Sequence, residues 1–468
     1  MEVPPTVACH VVAMPYPGRG HINPVLNFCN LLLSHNLDIL VTFVVTEEWL
    51  GFIGSQAKPQ NVQFSTIPNV IPSELDRAAD LVGFVEAVLT KMEAPFEQLL
   101  DRLEPPPTLI IHDTLLFWVV GVGNRRNIPV ASFWTMSASF LSVFQRYHLL
   151  EQHGHYPINA SEVGHKRVDY FPGISSTRLV DFPLRDGSFS CQRMLQHTSK
   201  YLSFVPKAHY LLFPTIHELE PQTIHVLKSE FSLPIYAIGP AIPYYLNVND
   251  QTHLNNSYFQ WLDNQPSNSV IYISQGSFLS VSQAQIDEIA AGLRLSRVRF
   301  IWVARKETHR LGEICGDVDD KKGLVLEWCE QLRVLMHDAI GGFWSHCGWN
   351  STKEGLFTGV PFLTFPIVMD QHLNSKMIVE DWKVGWRVKK DVDPQRLISR
   401  DEIAGLLQKF MDLNDKDGRD MRKRAKELQR VCQLSIANVA LLLLFNRYKD
   451  DDAYVGGAGD SFNRLINY

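Results

Sequence analysis

The chain has 468 residues, 45% hydrophobic and 20% charged, with a formal net charge of −6. A single core stops growing near ~250–300 residues, so two or three domains are expected. The apolar content excludes a disordered chain, 7 cysteines exclude a disulfide scaffold, and 50 acidic against 44 basic side chains give no grip for nucleic acid or an anionic membrane.

In chain order, Met1 to Thr6 offers no basic segment leading into an apolar one, as a signal peptide would. Cys9 to Met14 reads as a buried strand, and Val25 to Ser34 places Val25, Leu26, Cys29, Leu32 and Leu33 on one helix face. Leu37 to Thr46 is a strand, and Leu81 to Leu103 a long amphipathic helix stopped by Pro105. Thr108 to His112 (strand), Leu116 to Asn124 (helix), Pro129 to Trp134 (strand) and a helix from Ser137 follow. This alternation predicts a parallel sheet covered on both faces. The pattern weakens over 154–193 and returns at Tyr210 to Pro214. The segment 239–256 reads as an interdomain linker. A second alternating series begins at Val270 to Ser274 and runs through Gln283 to Leu295, Phe300 to Ala304, Leu324 to Glu327, Gly341 to Trp344 and Pro361 to Phe365. The apolar run Val439 to Phe445 falls far short of the ~20 residues that span a bilayer. An odd cysteine count without a signal peptide fits a reducing compartment, so a cytoplasmic location is expected.

The block Trp328 to Gln371 carries the strongest chemical pattern. Gly341 to Trp344 is a buried strand, Ser345 to Trp349 a turn, and Asn350, Ser351 and Thr352 open a helix. Asn and Ser suit a helix start, whose backbone N–H groups bind phosphate. His346 adds a donor there, Glu354 shares a face with Asn350 and Ser351, and an exposed Trp328 indole suits a flat base. At the N-terminal end, His21 follows Gly18-Arg19-Gly20 on the turn after the first strand, and Asp113 follows the strand Leu109 to His112. Both therefore belong to the same rim of one sheet. A histidine can take a hydroxyl proton near neutrality, and a neighbouring carboxylate fixes its tautomer.

The whole block resembles the signature of plant small-molecule UDP-glycosyltransferases. The likeness continues in the segments PYPGRGHINP, SFWTMSA, YAIGP and YISQGSFLS. The resemblance implies an α/β fold of the GT-B type: two Rossmann-like domains with parallel sheets facing across a cleft. Residues 1–238 would form the acceptor domain and 257–455 the UDP-sugar domain, with a terminal helix at about 456–468 returning to the first. It implies that Trp328 stacks on uracil, that Gln331 lies beside the nucleoside and that Glu354 holds the ribose. His346, Asn350, Ser351 and Ser277 would hold the diphosphate, and Trp349, Asp370 and Gln371 the sugar. His21 would be the base and Asp113 its partner. The implied reaction is an inverting, metal-independent transfer of glucose to a hydroxyl or carboxyl of a lipophilic plant metabolite. UDP-sugar is then a co-substrate, no cofactor or metal is expected, and the protein is expected to act as a monomer. A non-catalytic UDP-sugar-binding homologue and a nucleotide-sugar epimerase are the rival readings. Retention of His21 with Asp113 argues against the first, and the Trp328 to Gln371 block against the second.

Phe117, Trp118 and Trp134 are aromatic candidates for the acceptor pocket, and each also reads as core. Asp-x-Asp triplets at 317–319, 391–393 and 415–417 lie in polar stretches and read as solvated loops. Cys329, His337, His346 and Cys347 match no paired zinc spacing. Four features depart from the family pattern. Val368-Met369 precedes Asp370, Gln275 stands where an apolar residue is usual before Gly276-Ser277, Lys353 and Gly355 flank Glu354, and residues 434–455 look like an insertion of roughly twenty residues, a length surface loops tolerate.

Overall fold

A computed structural model describes residues 9–35, 39–54, 62–77, 79–242, 257–276, 281–304, 307–316, 322–389 and 396–445. Its first half is a seven-stranded parallel sheet of order β3-β2-β1-β4-β5-β8-β9. The strands are β1 (Cys9–Met14), β2 (Ile39–Thr46), β3 (Val62–Ile67), β4 (Leu109–Asp113), β5 (Val130–Phe133), β8 (Tyr210–Phe213) and β9 (Ile235–Ala237). A two-stranded antiparallel pair, β6 (Arg167–Val168) and β7 (Thr177–Arg178), stands apart. The second half is a six-stranded parallel sheet of order β12-β11-β10-β13-β14-β15. It comprises β10 (Val270–Ser274), β11 (Arg299–Val303), β12 (Gly323–Leu326), β13 (Ile340–Ser345), β14 (Phe362–Thr364) and β15 (Gly385–Arg387).

Alternation within each strand divides its side chains between two cores. On β1, Val11 and Ala13 join one cluster with Val41 and Phe43, while Val12 and Met14 join another with Val44 and Ile110. On β10, Val270 and Tyr272 face one core and Ile271 and Ile273 the other. Both sheet faces are thus covered, as parallel sheets require. In each half the strand order reverses beside the first strand. The crevices lie between β1 and β4 and between β10 and β13, the places where such sheets bind ligands.

Several elements differ from the sequence reading. The predicted helix 81–103 is two helices, Leu81–Lys91 and Glu93–Leu100, separated at Met92. Pro95 explains the break: it lacks an N–H and its ring crowds the carbonyl four residues back. The first helix begins earlier than predicted, at Arg19, and runs to His35, so His21 sits in its first turn. The strands β3 and β15 were not evident from sequence. Both are sheet edges, and edge strands lack the continuous apolar run of buried ones. The basic helix 421–433 extends as one helix, Lys416–Phe445, into the first part of the anomalous segment. Residues 446–455 and the predicted terminal helix at 456–468 lie outside the described residues, as does 243–256 of the linker.

The halves meet through specific bonds. The indole N–H groups of Trp349 and Trp382 donate to the carbonyls of Pro214 and Leu219, each at 3.1 Å. A charged seam joins the segment 167–181 to 376–387. Arg167 donates to Glu380 at 2.5 Å, Ser175 to Asp381 at 2.7 Å, and Arg387 to Glu380 at 2.8 Å and Asp181 at 3.4 Å.

Candidate active site

His21 and Asp113 meet at the first crevice, one following β1 and the other ending β4. Nδ1 of His21 lies 2.7 Å from Oδ2 of Asp113, and the Thr135 hydroxyl lies 3.0 Å from the same nitrogen. Asp113 is buried, and its Oδ1 accepts from the Leu115 N–H at 3.0 Å. A carboxylate fixed in this way keeps the proton on Nδ1 and leaves Nε2 as the basic nitrogen. Thr135 was not singled out from sequence. It follows β5, the strand next to β4, and only the fold brings it to His21.

Pro24 shapes the same turn. Lacking an N–H, it cannot bond the carbonyl of Gly20 within the helix. That carbonyl instead accepts from Nδ2 of Asn350, in the other domain, at 2.9 Å. One bond therefore joins the residue before His21 to the donor-side helix.

The second crevice holds the motif residues. The helix Trp349–Thr358 starts directly after the turn that leaves β13. Its cap position is Gly348, and no side chain caps the N-terminus, in contrast to the expectation that Asn350 and Ser351 would do so. Cys347 makes the turn with φ of 67°, braced by the Ser345 hydroxyl, which accepts from the Cys347 N–H at 3.0 Å. Gly276 has φ of 86°, and a Cβ there would lie 2.7 Å from Nε2 of His346, so only glycine fits both its backbone and its neighbour. Burial pushes His346 down to about 4, which makes it a neutral donor near pH 7. Ser277, the predicted fourth diphosphate contact, lies outside the described residues.

Gln331 joins two other predicted residues, Ser351 and Glu354, to Tyr272, which was not singled out from sequence. Nε2 of Gln331 donates to Ser351 Oγ at 3.0 Å and to Glu354 Oε2 at 2.8 Å, while its Oε1 accepts from Tyr272 at 3.2 Å. Burial pushes Glu354 up to about 7, opposed by the Gln331 hydrogen bond and by Lys353. Trp328 is 50% exposed, with its indole open for stacking. Asp370 is nearly buried, accepts from Asn374 at 2.7 Å, and is pushed up to about 6 by burial, with His21 among the groups acting against that rise. Gln371 folds back: its Oε1 accepts from the N–H groups of Ile367 and Val368 at 2.8 and 3.0 Å, which leaves its amide nitrogen for a ligand.

The Trp349 indole is buried with its N–H committed to Pro214, so any contact of this residue with a sugar falls to its backbone at the helix start. Phe117, Trp118 and Trp134 are buried as core residues, the alternative role open to each of them. Phe117 and Trp118 pack in one cluster and Trp134 in a neighbouring one on the same face of the first sheet, each with under a tenth of its surface exposed. Among the described residues no group of three His, Cys, Asp or Glu side chains is arranged to hold a metal. Asp415 caps a helix by accepting from the Gly418 N–H at 2.8 Å, and triplets 317–319 and 391–393 lie outside the described residues. No helix among the described residues is long and apolar enough to cross a membrane.

Comparison with known proteins bears on the family and the fold. The model of the family "UDP-glucoronosyl and UDP-glucosyl transferase" matches residues 189–399. UDP-glycosyltransferase 87A1 of Arabidopsis thaliana is 52% identical over 91% of this chain and 96% of its own. UDP-glycosyltransferase 87A2 of the same plant is 51% identical over 93% and 95%. Among solved structures, Medicago truncatula UGT71G1 complexed with UDP-glucose is 26% identical with a TM-score of 0.74, over 93% of this chain and 97% of that one. Phytolacca americana UGT2, complexed with UDP-2fluoro-glucose and pterostilbene, is 25% identical with a TM-score of 0.75, over 94% and 99%. These likenesses span both sheets and the crevices between them, and the chain belongs to the plant UDP-glycosyltransferases, as an enzyme of the two-domain GT-B fold.

Proposed function

We propose that this enzyme transfers glucose from UDP-glucose to a hydroxyl or carboxyl of a small lipophilic plant metabolite, in one inverting step that yields a β-glycoside. The observation that carries the reading is the pairing of two crevices. The His21–Asp113 couple lies at one, and the donor-side helix start lies at the other, one hydrogen bond away through Asn350 and Gly20. Nε2 of His21 takes the acceptor proton as the acceptor oxygen attacks the anomeric carbon. The new C–O bond forms as the bond to the diphosphate breaks, and the electron pair leaves with UDP. Asp113 stabilises the imidazolium that results. The charge growing on the diphosphate falls on the uncapped N–H groups of the helix Trp349–Thr358 and on neutral His346. Those groups take the place of a metal ion in this scheme.

Glucose as the sugar is supported by Gln371 at the end of the motif and by the UDP-glucose complex of the Medicago truncatula relative. The free cysteines among the described residues suit a cytoplasmic enzyme, which we take to act as a monomer. The deciding experiment follows UDP release and product mass with UDP-glucose and a panel of phenolic acceptors, with and without a chelator. His21→Ala should lower turnover by at least about 10³-fold while UDP still binds. Near-normal turnover in that variant rules out His21 as the base, and chelator sensitivity rules out the metal-free step.

A further inference from the structure

The segment that leaves β3 crosses the turn carrying His21. Its Glu74 and Arg77 form an ion pair, Oε1 to Nη2 at 3.0 Å, with side chains 17% and 11% exposed. Two points pin the segment. Glu48, on the helix after β2, accepts from the Ser73 hydroxyl at 2.5 Å and from the Glu74 N–H at 3.0 Å. Arg77 donates from Nη1 to the Pro17 carbonyl at 3.3 Å, and its guanidinium carbon lies 5.7 Å from the centre of the Phe84 ring.

Gly18 shows how close this cation comes to the base. A Cβ there would lie 2.6 Å from Nη1 of Arg77 and 3.6 Å from Cδ2 of His21, so both groups close over the same small space. Cδ2 is bonded to Nε2, the nitrogen that Asp113 leaves basic. Tyr16, whose ring centre is 5.0 Å from that of His21, feels Arg77, Asp113 and Glu74 together. A guanidinium at this range opposes the positive charge that His21 acquires with a proton, and a carboxylate paired to that guanidinium offsets the opposition. Keeping the carboxylate here is costly. Oε2 of Glu74 is buried without a hydrogen-bond partner, and burial pushes the carboxyl up to about 7, with Arg77 and His21 among the groups acting against that rise.

We propose that Glu74 is a positioning residue for the transfer reaction: through Arg77 it neutralises the cation beside His21 and so keeps that imidazole able to take the acceptor proton. The inference rests on the transferase reading for the role of His21. Among the described residues, the charged and titratable groups around His21 are Asp113 from β4, Tyr16 from the end of β1, the Glu74–Arg77 pair, Asp370 from the second domain, and Arg19 on its own helix. Glu74→Gln leaves the cation in place without its counter-charge, and Glu74→Gln/Arg77→Gln removes both charges. These two variants and the wild type are compared across the neutral pH range by two measurements. One is kcat/KM with UDP-glucose and a phenolic acceptor. The other is the NMR titration of the His21 ring without substrate, its signals assigned by their loss in His21→Ala.

Glu74→Gln should lower kcat/KM by about three- to tenfold near pH 8. The gap should close below about pH 7, where the wild-type carboxyl also carries a proton and resembles the amide. The double variant should recover most of the loss. In the NMR titration, His21 in Glu74→Gln should take its proton about 0.3 pH unit or more lower than in wild type, and the double variant should return it. A loss of equal size at every pH, or one that the double variant deepens, shows that Glu74 only holds the segment in shape and overturns the inference. An unmoved His21 titration in folded Glu74→Gln protein overturns it too. If that variant fails to fold, Glu74→Ala, which leaves room for water beside Arg77, is read by the same two criteria. Because the titration needs no turnover, an absence of transfer with every acceptor would strike the transferase reading alone.

Discussion

Lys353 shows how a single side chain can oppose the fold that contains it. It is 1% exposed, its Nζ has no hydrogen-bond partner, and burial pulls its amine from an ordinary 10.5 down to about 7. Between pH 7 and 10.5 the unfolded chain therefore binds a proton that the folded chain has shed, so stability rises with pH across that window. Lys353→Met should raise the melting temperature by several degrees at pH 7, at roughly 2–4 °C per kcal/mol, and the gain should shrink to nothing near pH 10.5. A gain that does not change with pH would show that packing, not the proton, is responsible. At this scale much of the site was legible. Trp328, Ser351 and Glu354 were named because the chemistry of a nucleoside restricts residue type and spacing together, and Gln331 because the block resembles the family signature. The contacts of Trp349 and Thr135 were not readable. What decides them is the partner each meets, Pro214 or His21, and those partners are distant in sequence.

At the scale of elements, buried strands were legible because continuous apolar runs bounded by turn residues have few other homes in an α/β chain. Edge strands and helix ends were not, since short backbone interactions rather than patterning decide them. The donor-side helix is an example. It ends at Gly359, which has φ of 66° and whose absent Cβ would sit 2.6 Å from the Gln429 side chain. Gly359→Ala should cost about 1–2 kcal/mol through the left-handed backbone alone, read as a lowered denaturation midpoint. Asn350 and Ser351 lie two turns away, so the UDP-glucose affinity should stay within about twofold. A large loss of affinity would show that the helix N-terminus is set from its far end.

At the scale of the molecule, the two-domain plan was legible from the repeated alternation and from the motif in the second half. The seam that fastens the domains was not, because Arg167, Asp181, Glu380 and Arg387 are ordinary surface-type residues until the fold opposes them. Asp181 is its centre: 4% exposed in its side chain, it receives Arg178 and Arg387 together. Asp181→Asn leaves two guanidinium groups facing each other and should destabilise the protein by about 3–5 kcal/mol. It should also enlarge the radius of gyration in small-angle scattering as the domains part. An unchanged radius with lowered stability would place the effect within the first domain alone.

The bond from Asn350 to the Gly20 carbonyl, left open by Pro24, has a thermodynamic consequence. The Asn350 amide keeps a second N–H and its oxygen, so a donor held there, as we propose, would be held by the group that also holds the turn carrying His21, and the two crevices would be coupled. Linkage is reciprocal: by whatever factor a seated donor alters the affinity for the acceptor, a seated acceptor alters the affinity for the donor. If Asn350 holds the donor as proposed, the missing amide hydrogen of one proline makes the two substrates partners in each other's binding before any bond between them has formed.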